Sequence, residues 1–122
     1  MSDFASVVKE TGKGVASVAV KGFLDAHSFE EFENVLNGLF EKSVFRVAVD
    51  LSRLEYVSSA GAGVLIGALS IAREHEGEIV LVGAQNGVRE VFDLLGISQL
   101  FKAADTLPEA MNILAAPVAG TG

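Results

Sequence analysis

Cysteine and tryptophan are absent from this sequence of 122 residues, and histidine and proline each occur only twice. Without cysteine the chain can form no disulfide, thiolate metal site or cysteine nucleophile, and this composition is typical of an intracellular protein that packing alone stabilises. The two histidines, His27 and His75, are far apart and lack the spacing of metal ligands. We therefore expect no metal, no cofactor and a cytoplasmic location.

Basic residues are also scarce, nine against sixteen acidic ones, which gives a net charge of −7. This charge repels the phosphate backbone of nucleic acids, so we expect no nucleic-acid binding. Long hydrophobic runs are missing too, since the most apolar segment, 60–72, is shorter than the roughly 20 residues that cross a bilayer. It predicts a buried helix and no membrane span, and the N-terminus lacks the features of a secretory signal.

Apolar residues make up half of the sequence, which is enough material for a buried core. At this length we expect a single domain over residues 1–122. Residues 116–122, rich in glycine and alanine, are predicted to form a flexible tail.

The hydrophobic periodicity alternates between strand and helix along most of the chain. Because strands that alternate with helices pair in parallel through right-handed crossovers, we expect an α/β fold with one mixed sheet of four to five strands and about four helices. The predicted elements are strands 4–8 and 15–20 joined as a hairpin, a helix from Ser28, strand 45–51, a loop at 52–57, a helix over 58–77, strand 78–83, a helix from Asn86 to Gly96, a short edge strand at 100–103 and a last helix from Thr106.

Helix boundaries carry local signals. Capping-box spacing occurs at Ser28–Glu31 and at Thr106–Glu109, where each side chain would satisfy a free N–H group of the first turn. Asn86 is predicted to cap the third helix, and Gly96 to end it in a left-handed conformation.

The stretch 45–69 joins an apolar strand to an apolar helix through two neighbouring serines. Serine at a helix start commonly accepts hydrogen bonds from exposed N–H groups, which explains Ser58 as a cap. Ser59 would then lie in the first turn, where a phosphate group would face N–H donors and the positive end of the helix dipole. The sequence therefore predicts a recognition or modification site at this junction.

Asp50 and Ser52 follow the predicted strand 45–51 and would lie at the carboxyl edge of the sheet, where function is often located. They could equally terminate the strand and bond their own loop. Gly61, Gly63 and Gly67 resemble part of a dinucleotide fingerprint, but their spacing breaks the pattern, and close packing of the helix on the sheet explains them better.

A hydrolase would need a nucleophile, a base and an orienting acid. Asp25 and His27 could nominally serve Ser59, but they are only two residues apart on a predicted loop, and no Gly-x-Ser-x-Gly elbow is present. We therefore expect that the chain is not an enzyme.

Several motifs resemble a known family. The segments Val49-Asp50-Leu51-Ser52 and Tyr56-Val57-Ser58-Ser59-Ala60-Gly61, with Leu54 between them and Gly63-Val64-Leu65 after them, resemble the signature of STAS domains. Within that family the likeness is to the free-standing bacterial anti-sigma factor antagonists. The resemblance extends over nearly the whole chain, through Gly22-Phe23-Leu24-Asp25 in the first half and Gly83, Val88, Phe92, Leu95-Gly96 and Phe101 in the second.

The resemblance implies a regulatory binding protein whose partner is an anti-sigma factor that is also a serine kinase. Such a protein binds the kinase when unphosphorylated, which frees the sigma factor; phosphorylation releases the kinase, and a serine phosphatase restores the first state. The phosphoacceptor position falls on Ser59, with Ser58 as the second choice. The partner-binding residues implied are Asp25, Asp50, Ser52, Ser58, Ser59 and Gly61.

The chain departs from the best-matched members at three positions. Ser58 stands where they usually have aspartate, Ala60 where a second serine or threonine is common, and Phe23 where an acidic residue is common. The loss of the carboxylate removes a charge that a kinase could recognise, and Phe23 would widen an apolar contact patch. Two alternatives therefore stay open, namely a scaffold or transport-accessory STAS domain without phosphorylation, and a module that binds a nucleotide or another small ligand.

Overall fold

The computed structural model describes residues 3–115, which form a five-stranded sheet with four α-helices and one short 3-10 turn. The predicted tail at 116–122 lies outside the described residues. The elements in order are β1 (Ala5–Gly12), β2 (Val15–Leu24), α1 (Phe29–Glu41), β3 (Arg46–Val57), α2 (Ser59–Glu74), β4 (Glu78–Val82), α3 (Asn86–Leu94), the 3-10 turn (Ile97–Gln99), β5 (Lys102–Ala104) and α4 (Leu107–Ala115).

The strands lie in the sheet in the order in which they occur along the chain. β1 and β2 pair antiparallel as a hairpin, and β2, β3, β4 and β5 pair in parallel. Each parallel connection contains one helix, as a parallel crossover requires. The predicted α/β fold with a mixed sheet is therefore confirmed.

The two faces of the sheet are covered differently. On one face, α1, α2 and α3 bury the main apolar cluster, in which Phe32, Leu54 and Leu65 are fully buried. On the other face, α4 covers a smaller cluster through Ala110 and Leu114. Because side chains alternate along a strand, Val47 and Val49 point to the first face and Ala48 to the second. On β4, Val80 and Val82 also point to the second face.

β2 and β3 are longer than their sequence patterns predict. The predicted loop at 52–57 is wrong, because the backbone pairing of β2 with β3 continues to the pair Leu24 and Val57. Register irregularities between Ala19 and Lys21 and between Gly22 and Phe23 break the two-residue alternation, which hid this part of the strand pair. The exposed residues of this segment, Ser52, Arg53, Glu55 and Tyr56, give it a composition that is also typical of a loop.

The first predicted capping box is wrong. α1 begins at Phe29 directly after Ser28, but the Ser28 hydroxyl donates to the carbonyl of Phe23 at 2.7 Å and accepts from the N–H of Asp25 at 3.0 Å. Ser28 is only 2% exposed, so its hydroxyl holds the preceding turn together and is not used by the helix. A local spacing rule could not identify these partners, which lie on the strand side of the turn.

The other helix boundaries agree with the predictions to within three residues. Thr106 accepts from the N–H of Glu109 at 3.3 Å, whereas Glu109 accepts from the N–H of Asp105 rather than from that of Thr106. The prediction that Asn86 caps α3 is wrong, because Asn86 is the first helical residue and Gln85, at the N-cap position, makes no side-chain capping bond; Gly96 is left-handed as predicted. α2 ends at Glu74 instead of residue 77, and β5 begins two residues later than predicted, since the 3-10 turn precedes it.

Candidate functional site

Ser58 joins the end of β3 to the start of α2. Its backbone is extended, and its N–H donates to the carbonyl of Leu24 at 2.9 Å, which continues the pairing of β2 and β3 beyond their last residues. Its hydroxyl oxygen accepts from the N–H of Gly61 at 3.3 Å. The prediction that Ser58 caps the helix is therefore confirmed, and its hydroxyl already takes part in a hydrogen bond that stabilises the fold.

The cap leads to a stability prediction. Replacing Ser58 with alanine leaves the N–H of Gly61 without its acceptor, so we expect the free energy of unfolding to fall by about 1 kcal/mol. Ser58→Asp keeps an acceptor oxygen at the same place and serves as the matched control. Chemical denaturation of both variants measures the difference, and equal losses for alanine and aspartate would contradict the role of the hydroxyl as a cap.

Ser59 is the first residue of α2 and is exposed. The first turn of this helix contains no acidic residue, so the positive end of the helix dipole is not neutralised by a neighbouring carboxylate. The Ser59 hydroxyl is thus open to solvent at a place that favours added negative charge. Ser59 and Ser58 therefore have different environments although they are neighbours in the sequence.

Gly61 allows the start of α2 to approach the end of β2. A Cβ atom at this position would lie 2.6 Å from Cγ of Leu24 and 2.7 Å from its carbonyl oxygen, so no other residue fits without movement. The predicted packing role is confirmed for Gly61 but is wrong for Gly63 and Gly67, which are exposed and would have no neighbour within 4 Å of a Cβ atom. Because Gly61 is buried against Leu24, it is not open to the pyrophosphate of a nucleotide.

Asp25 follows Leu24 and lies beside the serine turn. Its carboxylate accepts from the N–H of His27 at 2.9 Å and from the hydroxyl of Ser28 at 3.4 Å, so it stabilises its own turn. The contact to His27 involves the backbone and not the imidazole ring. The structure therefore shows no relay from Asp25 through the His27 ring to Ser59.

Asp50 and Ser52 lie inside β3 and not at its end. The Asp50 carboxylate accepts from the N–H of Ser52 at 3.0 Å, and the side-chain amide of Gln85 donates to the carbonyl of Ser52 at 2.6 Å. Asp50 lies on the same strand face as Ala48, away from α2, and is separated from Ser58 by roughly 20 Å of strand. The structure thus brings Asp25, Ser58, Ser59 and Gly61 together and places Asp50 and Ser52 elsewhere.

An exposed aromatic pair borders the serine turn. Phe23 and Tyr56 are register partners on β2 and β3, 41% and 49% exposed, and their rings meet edge to face with centroids 6.3 Å apart. Phe23 precedes Leu24, and Tyr56 lies two residues before Ser58. The expectation of an apolar contact at Phe23 did not include Tyr56, because only the register of the two strands reveals the pair.

Two negative findings concern the whole described region. Within residues 3–115 no helix is long and apolar enough to cross a membrane. In the same range, no three side chains of histidine, cysteine, aspartate or glutamate are grouped so that they could hold a metal ion.

The known proteins that this chain resembles include anti-sigma factor antagonists. BtrV of Bordetella bronchiseptica, named as a candidate anti-sigma factor antagonist, is 33% identical over 93 residues, which are 76% of this chain and 80% of that protein. An anti-sigma factor antagonist from Mycobacterium paratuberculosis has a structure that superposes with a TM-score of 0.82 at 22% identity, covering 93% of this chain and 95% of that one.

SpoIIAA, another anti-sigma factor antagonist, has been solved in two forms. Its unphosphorylated form gives a TM-score of 0.79 at 22% identity and covers 89% of this chain and 95% of its own. The phosphorylated form from Bacillus gives a TM-score of 0.71 at the same identity of 22%, with 89% and 98% covered. At this identity the structures establish the fold, and the STAS domain family matches residues 6–110. The chain belongs to the STAS domain family.

Proposed function

We propose that this protein is an anti-sigma factor antagonist that binds an anti-sigma factor serine kinase while Ser59 is unphosphorylated and releases it when Ser59 is phosphorylated. The observation that carries the proposal is the exposed Ser59 hydroxyl, which is not used for capping, at the start of α2. The names of the relatives and the solution of SpoIIAA in both phosphorylation states support it.

Ser59 is a better acceptor than Ser58 for a structural reason. The Ser58 hydroxyl is partly buried and accepts from the N–H of Gly61, so phosphorylation there would remove a cap. Ser59 has no such role, and a phosphate on it would lie in the first helical turn, where the dipole favours negative charge. Phosphorylation of Ser59 therefore leaves the fold intact while it changes the surface.

The phosphate acts on binding through charge and desolvation. It adds about −1.5 to −2 charge units to an otherwise neutral turn formed by Ser58, Ser59, Ala60 and Gly61. A kinase that packs closely on the uncharged turn would have to bury this group without a partner, which is unfavourable. The complex is therefore expected to dissociate after the kinase has modified its own ligand, and a serine phosphatase would return the protein to its binding form.

The first experiment tests where the phosphate is added. Purified protein is incubated with the anti-sigma factor kinase of the same organism and ATP, and phosphate is located by mass spectrometry. We expect modification of Ser59, no modification of Ser59→Ala, and continued modification of Ser58→Ala. Phosphate on Ser58 alone would contradict the assignment, and no phosphate on either serine would favour a STAS domain that acts as a constitutive scaffold.

The second experiment tests whether the charge controls binding. We expect Ser59→Asp to weaken the complex with the kinase by roughly tenfold or more, since even one added charge must be desolvated at the contact. Ser70→Asp is the matched control, because Ser70 is exposed on the same helix but far from its start. Isothermal titration calorimetry measures both affinities, and equal values for the two variants would overturn the switch.

A further inference from the structure

One part of the sheet has no helix over it. α1, α2 and α3 pack on the first face, and α4 covers the second face at β3, β4 and β5 and at Val15, the first residue of β2. The second face is open on the later part of β2, where Ala19, Lys21 and Phe23 are exposed, and on β1, where Val7 is 58% exposed. Two hollows of about 210 and 380 Å³ lie along this open region, and the side chains of Lys21 and Arg53 line both of them.

The register places four side chains of β2 and β3 on this open face in two adjacent layers. Lys21 pairs with Arg53, and Phe23 pairs with Tyr56. All four are exposed, whereas their neighbours Leu24, Leu54 and Val57 are buried in the main apolar cluster on the other face. We call the four exposed residues, Lys21, Phe23, Arg53 and Tyr56, the basic-aromatic surface.

The two cations of this surface are not neutralised within the described part of the chain. The ion pairs among the described residues join Lys42 to Glu10, and Arg73 and Lys102 to Glu78. Neither Lys21 nor Arg53 takes part in one. Asp3 and Glu55 line the larger hollow and Asp50 lines the smaller one, but none of these three carboxylates forms an ion pair with Lys21 or Arg53. Like charges directly opposite each other on neighbouring strands destabilise a sheet, and here they occur in a protein of net charge −7.

An occupant with negative charge and an apolar side chain fits this arrangement. Its carboxylates would neutralise Lys21 and Arg53, and its apolar side chain would cover the ring pair of Phe23 and Tyr56. A second copy of this chain related by a twofold axis fits less well, because it would place the same cations of both copies in one interface. Charge therefore favours a different protein over self-association.

We propose that the basic-aromatic surface docks an acidic segment with an apolar side chain that belongs to the anti-sigma factor kinase. This inference rests on the proposed function, since the partner is the same protein. It extends the contact from the serine turn to the open sheet face, and the two are continuous because Phe23 is followed by Leu24, whose carbonyl accepts from the N–H of Ser58. Recognition then has a switchable part at Ser59 and a constant, electrostatic part on β2 and β3.

The test compares two charge reversals of equal size. We expect the double variant Lys21→Glu with Arg53→Glu to bind the purified kinase roughly tenfold more weakly, with a smaller dependence of affinity on salt. The control double variant is Lys13→Glu with Arg89→Glu, which changes the net charge equally at exposed positions away from this surface. Phe23→Ala is expected to weaken binding without changing the salt dependence, and melting curves verify that each variant is folded.

The outcomes separate the two proposals. A selective loss for the Lys21 and Arg53 variant, with the control like the unmodified protein, supports docking on this surface. Equal affinities of both double variants overturn the docking surface and leave the proposed function standing. If the unmodified protein forms no complex with the kinase, both proposals fail. Concentration-dependent dimers in analytical ultracentrifugation that the Lys21 and Arg53 variant abolishes would show that a second copy occupies the surface, and would also overturn it.

Discussion

Replacing Gly22 with alanine is expected to lower the free energy of unfolding by roughly 3 to 5 kcal/mol, the largest loss among the changes considered for this protein. Two causes act at this position. The backbone has φ = 87°, a conformation that residues other than glycine rarely adopt. In addition, a Cβ atom would lie 1.6 Å from the carbonyl oxygen of Asp3 and 3.3 Å from Cα of Phe4, so backbone would have to move.

Gly12→Ala separates these two causes. Gly12 is also left-handed, with φ = 90°, but a Cβ atom there would meet nothing within 4 Å. We therefore expect a loss of only about 1 to 2 kcal/mol, which is the conformational cost alone. The free energy of unfolding of a typical domain is only about 5 to 15 kcal/mol. The loss expected for Gly22→Ala should therefore lower the melting temperature of the protein by at least about 10 °C. Calorimetry measures both variants, and equal losses would contradict the close approach of Asp3 to Gly22.

Replacing Gly61 with alanine is expected to cost about 2 to 3 kcal/mol and to displace the start of α2. The added methyl group would collide with Leu24, a residue that is fully buried and whose carbonyl also accepts from the N–H of Ser58. The strain therefore falls on the contact that positions the serine turn. We expect weaker binding of the kinase and slower phosphorylation of Ser59 at temperatures where the variant is still folded.

Gly67→Ala is the matched control for this change. Gly67 lies in the same helix, is exposed, and would have no neighbour within 4 Å of a Cβ atom. Alanine has the higher helix propensity, so we expect this variant to be more stable by about 0.5 to 1 kcal/mol. Denaturant unfolding of the pair tests the prediction, and a loss of stability in Gly67→Ala would show that the outer face of α2 is constrained by something other than helix propensity.

The glycines of α2 show why composition alone was misleading. In the sequence, Gly61, Gly63 and Gly67 form one small-residue pattern, which predicts close packing on the sheet for all three. In the structure only Gly61 faces β2, whereas Gly63 and Gly67 are exposed. Which glycine touches the sheet depends on the rotation of α2 about its axis, and that rotation is set by the packing of its larger residues, such as Val64 and Leu65.

Ser58 and Ser59 have different roles in the serine turn. Ser58 contributes to stability through its cap, and Ser59 contributes the exposed hydroxyl. Aspartate at position 58 would also cap the helix and would add a charge next to Ser59. Serine at this position keeps the cap without that charge, so under the proposed function we expect recognition of the turn to depend more on shape and on contacts outside it. The proposed docking on Lys21 and Arg53 would supply such a contact.

The sequence by itself determined the order of the elements, the hairpin, the parallel crossovers and the role of Ser58 as a cap. These features depend on hydrophobic periodicity and on hydrogen bonds between residues three or four positions apart, and both are local properties of the chain. The carboxyl ends of β2 and β3 could not be predicted in this way, because register shifts interrupt the alternation of polar and apolar residues.

Only the tertiary structure decided which separated residues meet. The approach of Gly61 to Leu24 and the hydrogen bond from the N–H of Ser58 to the carbonyl of Leu24 depend on how β2, β3 and α2 are placed relative to one another. The layers Lys21 with Arg53 and Phe23 with Tyr56 join residues more than 30 positions apart. Their assembly is set by strand register, and register is fixed by burial of the first face of the sheet, to which β2, β3, β4, α1, α2 and α3 contribute.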